Sequence, residues 1–285
     1  MQIFVSIDTG LSSGIYRSTD GGGSWTLPLA GAAGTEVFFD PTNPNIAYAA
    51  LGTVGGDPDN GVYQSLDGGL TWTRIGGTGA NALPAVDVGR IEIAIAPAPS
   101  SPSTLYAGIQ NSASASFGTL LGFFKTTDAG LNWTRLTNTP DYCTPQCWYD
   151  HVLRVHPTDA NIVFAGGSAT ASGTLMRSLD AGASWSNISQ GPNGVRLHVD
   201  QHALAFSAGA TKFYVGNDGG VWSTLDAAAP TVNWTNLNAA LAITQFYPGH
   251  AFHPTDPNIG FGGTQDNGTQ KYTGGLAWDL VTCGD

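Results

Sequence analysis

The sequence predicts an all-β fold, a β-propeller of about six four-stranded blades. The first of three observations is a tryptophan-containing motif that recurs about once per 50 residues, the length of one blade. The second is a Pro/Asn turn followed by a short β-type run, which recurs out of phase with the first motif. The third is composition, because 39 glycines and 16 prolines supply turns for many hairpins and no stretch has helical periodicity.

The tryptophan motif has the frame Ser/Thr-x-Asp-x-Gly-x-Ser/Thr/Asn-Trp. Four copies are in register, at 18–25, 65–72, 126–133 and 178–185. A stretched copy spans 223–234, and an eroded copy at 272–278 has lost the aspartate. Successive tryptophans are 44 to 61 residues apart, which predicts one blade per copy.

The Pro/Asn turn occurs three times, and each copy is followed directly by a β-type run that is predicted to be the second strand of a blade. It reads DPTNPN at 40–45, HPTDAN at 156–161 and HPTDPN at 253–258. Five inner strands precede these turns or their equivalents, and they start at Thr35, Arg90, His151, His202 and Tyr247. The first blade starts directly in its second strand, so it is predicted to lack an inner strand in this chain, which is either a whole propeller or part of a larger one.

These two repeats predict one domain over residues 1–285. Its blades are expected at 1–33, 34–80, 85–139, 148–190, 197–240 and 244–285.

The net charge of the chain argues against two classes of partner. A net charge of −11 and a pI near 4.6 argue against nucleic acid and anionic membranes, both of which favour basic surfaces. No apolar run approaches the 18 residues or so of a membrane span, and no signal peptide is visible. The acidic, lysine-poor composition is typical of an extracellular or periplasmic protein.

Three cysteines leave several possibilities open. Cys143 and Cys147 lie in DYCTPQCWYD and could form a disulfide, remain free thiols, or bind a metal with His151. Cys283 has no partner in the sequence pattern.

The tryptophan motif resembles the Asp-box, also called the bacterial neuraminidase repeat. Sialidases, xyloglucan-cleaving glycosidases, sortilin-type receptor propellers and photosystem II assembly-factor propellers carry this box. The resemblance extends from Ser18 to Trp278 and implies a peripheral hairpin between the third and fourth strands of each blade. The carboxylate would accept hydrogen bonds within its turn, and the tryptophan would pack on the neighbouring sheet. The residues given this structural role are Asp20, Trp25, Asp67, Trp72, Asp128, Trp133, Asp180 and Trp185.

With these aspartates set aside, candidate site residues are polar side chains that do not repeat from blade to blade. They lie where inner strands start and second strands end, the places that surround the axis of a propeller. Catalytic candidates are Asp150, Asp200, Asp218 and Asp266, and binding candidates are Arg90, His151, His202, Tyr247 and Gln265; Asp8 occupies a matching position. Glu36 and Glu92 occupy equivalent blade positions and are expected to be architectural, with Glu92 paired to Arg90.

The segment HVDQH raises the possibility of a metal site. On a strand His198, Asp200 and His202 would share one face, and two imidazoles with a carboxylate are ligands for zinc or another divalent ion. The alternative is that these side chains bond neighbouring blades or line a wet channel. No other cofactor is predicted.

Two functions fit the sequence. The first is a glycan- or protein-binding or scaffold propeller, favoured because no complete catalytic set is recognised. The alternative is a glycoside hydrolase of xyloglucanase-like type, with paired aspartates in a central cleft. A sialidase is disfavoured, because its N-terminal arginine motif is not found. Self-association could supply the inner strand missing from the first blade.

Overall fold

The computed structural model describes residues 2–7, 12–96, 104–169, 171–241, 244–275 and 277–282. Asp8 and Cys283, both noted in the sequence, lie outside these residues. The described residues form antiparallel sheets joined by loops and short 3-10 turns. None of their helices is long and apolar enough to cross a membrane.

Six sheets follow one another along the chain, and each consists of strands consecutive in sequence. Sheet 1 contains β1 (Ile3–Ile7), β2 (Gly14–Ser18) and β3 (Thr26–Ala30). Sheet 2 contains β4 (Gly34–Phe39), β5 (Ala47–Leu51), β6 (Gly61–Ser65) and β7 (Thr73–Arg74). Sheet 3 contains β8 (Val88–Ile95), β9 (Leu105–Asn111), β10 (Leu120–Thr126) and β11 (Thr134–Arg135).

The remaining three sheets have the same order. Sheet 4 contains β12 (His151–His156), β13 (Asp159–Gly167), β14 (Leu175–Ser178) and β15 (Ser186–Asn187). Sheet 5 contains β16 (Gln201–Phe206), β17 (Phe213–Asn217), β18 (Gly220–Thr224) and β19 (Thr235–Asn236). Sheet 6 contains β20 (Phe246–Phe252), β21 (Gly260–Thr264), β22 (Gly268–Tyr272) and β23 (Trp278–Thr282).

This arrangement is a β-propeller, as the sequence predicts. The first strands of sheets 2 to 5 lie next to one another, β4 beside β8, β8 beside β12 and β12 beside β16, and are therefore the inner strands. In sheet 1 the repeated hairpin joins β2 to β3, as it joins third to fourth strands elsewhere. β1 thus corresponds to a second strand, and among the described residues sheet 1 has no inner strand, which also agrees with the prediction.

The hydrophobic core lies between neighbouring sheets. Side chains of a strand alternate between its two faces, and both faces of a central blade are covered, so a strand such as β5 is buried at every residue. Sheet 6 differs, because every residue of β23 is exposed and Phe252 is 69% exposed. The apolar surface of sheet 6 is therefore less covered than that of sheets 2 to 5.

The repeated hairpins at 18–25, 65–72, 126–133 and 178–185, here called the Asp hairpins, share one hydrogen-bond pattern. In the first, Asp20 accepts bonds from the Ser18 hydroxyl (2.8 Å), the Ser24 amide (2.9 Å) and the Ser24 hydroxyl (2.6 Å). The other three hairpins repeat these bonds at equivalent positions. The bonds to Ser24 lower the pKa of Asp20, so its ionised carboxylate closes its own turn.

The tryptophans of these hairpins pack mainly on the preceding sheet. Trp133 is 2% exposed, and its Nε1 donates to the Ile75 carbonyl at 2.7 Å. Trp234, which ends the stretched copy of the motif at 223–234, likewise donates to the Ile188 carbonyl at 2.8 Å. Trp72 contacts Phe4 and Trp185 contacts Phe123 of the sheets before them, with ring centroids 5.8 Å and 5.3 Å apart.

The expectation that Trp25 is buried in the same way is wrong. Trp25 is 41% exposed, and its Nε1 donates to Gly22 of its own hairpin. The physical reason is position, because no sheet precedes sheet 1 among the described residues. Trp278 also departs from the pattern, since it contacts Tyr272 and Phe246 of its own sheet.

Candidate functional site

Four aspartates from three sheets come together beside the inner strands. Asp150 and Asp200 immediately precede β12 and β16, and Asp218 and Asp266 lie in the turns after β17 and β21. The carboxyl groups of Asp150 and Asp200 contact each other, as do those of Asp218 and Asp266. We call these four residues the aspartate cluster. Because an inner strand starts beside the end of its antiparallel second strand, sheet topology explains why they meet.

Asp150 is the most enclosed member of the cluster. Its side chain is 1% exposed, and Gln146 Nε2 donates to Asp150 Oδ2 at 3.0 Å and to Asp200 Oδ1 at 3.3 Å. Burial, followed by the charge of Asp200, raises the pKa of Asp150 to about 8. Burial also raises the pKa of Asp200. This pair therefore holds a proton at neutral pH.

His202 connects the two pairs of carboxyl groups. Its Nε2 lies 2.7 Å from Asp218 Oδ1 and 3.3 Å from Asp150 Oδ1. Asp150 Oδ1 nevertheless has no hydrogen-bond partner. Burial raises the pKa of Asp218, and its hydrogen bond with Asp266 raises it further. Asp218 is 23% exposed, so a carboxyl group with a raised pKa lies within reach of solvent.

A pocket of about 480 Å³ opens beside Asp218 and Asp266. Its other lining residues are aromatic or carry amides: Tyr149, Asn217, Gln245, Gln265 and Asn267. Asn267 Nδ2 donates to the Asp218 carbonyl at 2.9 Å, and Gln265 Nε2 donates to Asp266 Oδ2 at 2.9 Å. The binding candidate Tyr247 donates its hydroxyl to Gln265 Oε1. The pocket thus offers both donors and acceptors over a small area.

Two residues of the aspartate cluster have a left-handed backbone conformation. Asp200 has φ of 66° and Asp266 has φ of 57°, both in the left-handed region. Aspartate tolerates this region better than most residues, but it remains unfavourable relative to extended backbone. Such conformations concentrate at sites where side-chain placement matters.

Arg90 and His151 do not line this pocket. Arg90 forms the ion pair predicted with Glu92, with Nη2 to Oε1 at 2.7 Å. Glu92 contacts Glu36, and burial raises its pKa to about 8. His151 is buried with its Nε2 2.8 Å from the Tyr142 hydroxyl, and burial lowers its pKa to about 3. These side chains form a separate polar group among the inner strands of sheets 2 to 4.

The prediction that His198, Asp200 and His202 share one face of a strand, on which the metal site was based, is wrong. Strand β16 begins only at Gln201, and the left-handed Asp200 breaks the alternation that would place the three on one face. The ring nitrogens of His198 face the carbonyls of Val199 and Asp266, at 3.0 Å and 3.2 Å, while His202 Nε2 faces carboxylates. Across the described residues, the group with three ligand atoms within 4.8 Å of one another is Asp141, Cys143 and Cys147.

Cys143 and Cys147 form a disulfide, the first of the three possibilities left open by the sequence. Their sulfurs are bonded to each other and are not available as metal ligands. Both cysteines are fully buried, and the residues between them include Gln146, which bonds to the aspartate cluster. The disulfide therefore stabilises the loop that carries Gln146.

Sequence reasoning missed Gln146 and Tyr149. Both lie in the loop just before Asp150, where the Cys-x-x-x-Cys spacing indicates a constrained turn. Tyr149 packs against His202 with ring centroids 5.2 Å apart and is 56% exposed. The Cys-x-x-x-Cys spacing directly before Asp150 was the sequence signal that could have identified this loop as part of the site.

Solved structures provide the comparison. A GH74 enzyme from Niastella koreensis has a TM-score of 0.63 at 19% identity, covering 98% of this chain and 43% of that chain. A GH74 xyloglucanase from Xanthomonas campestris has a TM-score of 0.57 at 18% identity, with the same coverage. An ancestral GH74 enzyme has a TM-score of 0.55 at 17% identity, covering 94% of this chain and 35% of that chain.

No known protein-family model matches the sequence. No curated protein matches it either. The chain spans less than half the length of each of the three GH74 enzymes. At these identities the likeness concerns the fold, and the chain is a β-propeller similar in architecture to part of the GH74 enzymes.

Proposed function

We propose that the chain is a carbohydrate-binding propeller module that holds a polysaccharide at the aspartate cluster and its pocket. The observation that carries this proposal is the lining of the pocket, which combines amides, carboxyl groups and an exposed tyrosine. Sugar hydroxyls both donate and accept hydrogen bonds, and amides and carboxyl groups match both needs. The apolar face of a sugar ring packs well on an aromatic ring such as Tyr149.

Two further features support the proposal. The propeller fold is shared with GH74 enzymes, one of which is described as a xyloglucanase. The disulfide is consistent with an oxidising compartment, which supports an extracellular or periplasmic location where polysaccharides are met.

Calorimetric titration with soluble polysaccharides, xyloglucan among them, tests the proposal. We expect Tyr149→Ala to weaken binding about tenfold, equivalent to about 1.4 kcal/mol, because it removes the stacking surface. Gln245→Ala should weaken binding by a similar factor. Gln64→Ala is the matched control, because Gln64 bonds to Tyr48 outside the pocket and should leave affinity unchanged.

Absence of binding to every polysaccharide would refute the glycan proposal and favour a protein ligand. Equal loss in the Gln64→Ala control would show that the effect is not specific to the pocket.

Hydrolysis of a glycosidic bond is the second candidate. It is favoured by one observation, the partly exposed Asp218 with a raised pKa beside a second carboxyl group, Asp266. A protonated carboxylic acid beside a carboxylate is the equipment of acid–base glycosidases. Those enzymes hold their two carboxyl groups about 5 to 9 Å apart. Asp218 and Asp266 are in direct contact, so binding without turnover is ranked first.

Release of reducing sugar separates the two candidates. A hydrolase predicts turnover that Asp218→Asn abolishes while binding persists. A binding module predicts retention of intact polysaccharide by the wild type.

A further inference from the structure

We propose that the glycan bound at the aspartate cluster carries protonated amino groups, as glucosamine units do. This inference rests on the proposed function, since it names the chemical class of the ligand held at the same site. The occupant is an ammonium group on a sugar, which bridges Asp218 and Asp266 at the pocket wall.

The charge of the aspartate cluster favours a cation as its ligand. The cluster brings four carboxyl groups together, and the described residues lining its pocket include no lysine or arginine. Arg90 is engaged by Glu92 at 2.7 Å. Carboxyl groups crowded into a partly dry site cannot all ionise unless a cation joins them. Burial raises the pKa of Asp150 and of Asp218 in the free protein, and a ligand cation beside them would favour their ionised forms.

One carboxyl oxygen of the cluster lacks a hydrogen bond. Asp150 is 1% exposed, and its Oδ1 has no hydrogen-bond partner. His202 Nε2 is closer to Asp218 than to Asp150, at 2.7 Å against 3.3 Å, and one N–H donates well to only one of them. When a ligand ammonium bonds to Asp218, the His202 N–H is released to donate to Asp150. The free site therefore lacks one donor, which an ammonium supplies.

The positions of the acceptors favour an ammonium group over a metal ion. An ammonium has three donors that point in different directions, so it can bond to several acceptors at once. Asp218, Asp266 and a lining amide oxygen such as that of Gln245 supply such acceptors. A divalent metal needs several ligand atoms around one point. In the described part of the chain, no three carboxylate or imidazole ligand atoms of this cluster gather within 4.8 Å, so the arrangement favours an amine over a metal.

The aromatic rings beside the cluster suit the rest of the ligand. Tyr149 is 56% exposed and lies 5.6 Å from Trp148, centroid to centroid. A sugar ring can stack on these faces while its ammonium receives a cation–π contribution in addition to the carboxylates. A glycan bearing carboxylates is excluded by repulsion from the same cluster.

Ligand binding should be accompanied by the release of protons from the cluster. The ionisable groups facing Asp218 and its neighbours come from three sheets: Tyr149, Asp150, His198, Asp200, His202 and Asp266. Burial raises the pKa of Asp150 and of Asp218 in the free site, and a bound cation favours their ionised forms. Ligand binding near pH 6 therefore releases protons, and affinity increases with pH while the ligand amine stays protonated.

The experiment compares three β-1,4-linked tetramers of equal length by calorimetry at pH 6 on the wild-type chain: glucosamine, N-acetylglucosamine and glucose. We expect the glucosamine tetramer to bind at least tenfold more tightly than the two neutral tetramers. The difference should decrease in 0.5 M salt. Titrations in two buffers of different ionisation enthalpy should report proton release.

Two variants test whether the preference for glucosamine depends on the aspartate cluster. Asp218→Asn should remove most of the preference for glucosamine, whereas Asp279→Asn, on exposed β23, should not change it. If Asp218→Asn does not fold, the wild-type comparison and its salt dependence still decide the question. Equal or tighter binding of the glucose tetramer overturns the amine inference but leaves the proposed function standing. Failure of all three tetramers and of every polysaccharide overturns both.

Discussion

Trp133 and Trp25 occupy the same position in the repeated motif but differ in burial, and their replacement by alanine tests the packing of the blades. Trp133 is 2% exposed and lies among buried residues of sheets 2 and 3, including Tyr48 and Ile91. Its indole also donates to the Ile75 carbonyl at 2.7 Å. Trp25 is 41% exposed, and its indole donates to the Gly22 carbonyl of its own hairpin.

The expected losses of stability differ several-fold. Truncating a buried tryptophan to alanine costs about 3 to 5 kcal/mol, from lost burial and the cavity left behind. The Ile75 carbonyl would also lose its donor, which adds about 1 kcal/mol or more unless water enters. Truncating a half-exposed tryptophan such as Trp25 to alanine should cost about 1 kcal/mol or less. We therefore expect Trp133→Ala to be more destabilising than Trp25→Ala by about 3 kcal/mol.

Urea unfolding followed by circular dichroism gives the comparison, and hydrogen exchange locates the effect. Exchange is needed because a repeat fold can lose individual sheets without unfolding as a whole. In Trp133→Ala, faster exchange should concentrate in sheets 2 and 3. Equal destabilisation by the two variants would refute the conclusion that each tryptophan is stabilised by the sheet before it.

Three further predictions concern the cluster and the terminal sheets. Asp150→Asn should flatten the dependence of stability on pH. The folded-state pKa of Asp150 is raised to about 8, so this carboxyl group stabilises the fold at low pH, and the contribution is lost as pH rises through that value. In urea titrations the wild type should therefore lose stability relative to the variant between about pH 4 and 8. Cys147→Ser should loosen Gln146 and weaken glycan binding several-fold without abolishing folding, as measured by calorimetry and circular dichroism; unchanged affinity would show that the disulfide does not position the site. The self-association predicted from the missing inner strand should appear as a mass that increases with concentration in light scattering, and Leu280→Lys on exposed β23 should reduce it if sheet 6 takes part; a constant monomer mass would contradict it.

The architecture could be predicted because the signals for it are local and repeated. Each hairpin carries its own turn chemistry, so the aspartate bonds of the Asp hairpins follow from a few consecutive residues. The inner strands could be placed for the same reason, since Pro/Asn turns bound them. Tryptophan burial was less predictable, because it depends on whether another sheet precedes the hairpin, as the exposed Trp25 shows.

The site was predictable in outline and not in detail. Propeller topology brings the starts of inner strands beside the ends of second strands, so Asp150, Asp200, Asp218 and Asp266 could be grouped from sequence. The metal geometry could not, because the left-handed backbone at Asp200 delays the start of β16. The bonds of Gln146 depend on a loop folded by a disulfide, and short sequence patterns do not encode such a conformation.

Glycan affinity of two aspartate variants tests most directly the claim that the chemistry belongs to the aspartate cluster and not to the repeated motif. Asp218→Asn removes a carboxyl group from the pocket, and Asp128→Asn removes one from an Asp hairpin. The account predicts that Asp218→Asn weakens binding about tenfold or more while Asp128→Asn binds as the wild type does. Loss of binding in Asp128→Asn with full affinity in Asp218→Asn, both variants being folded, would contradict it.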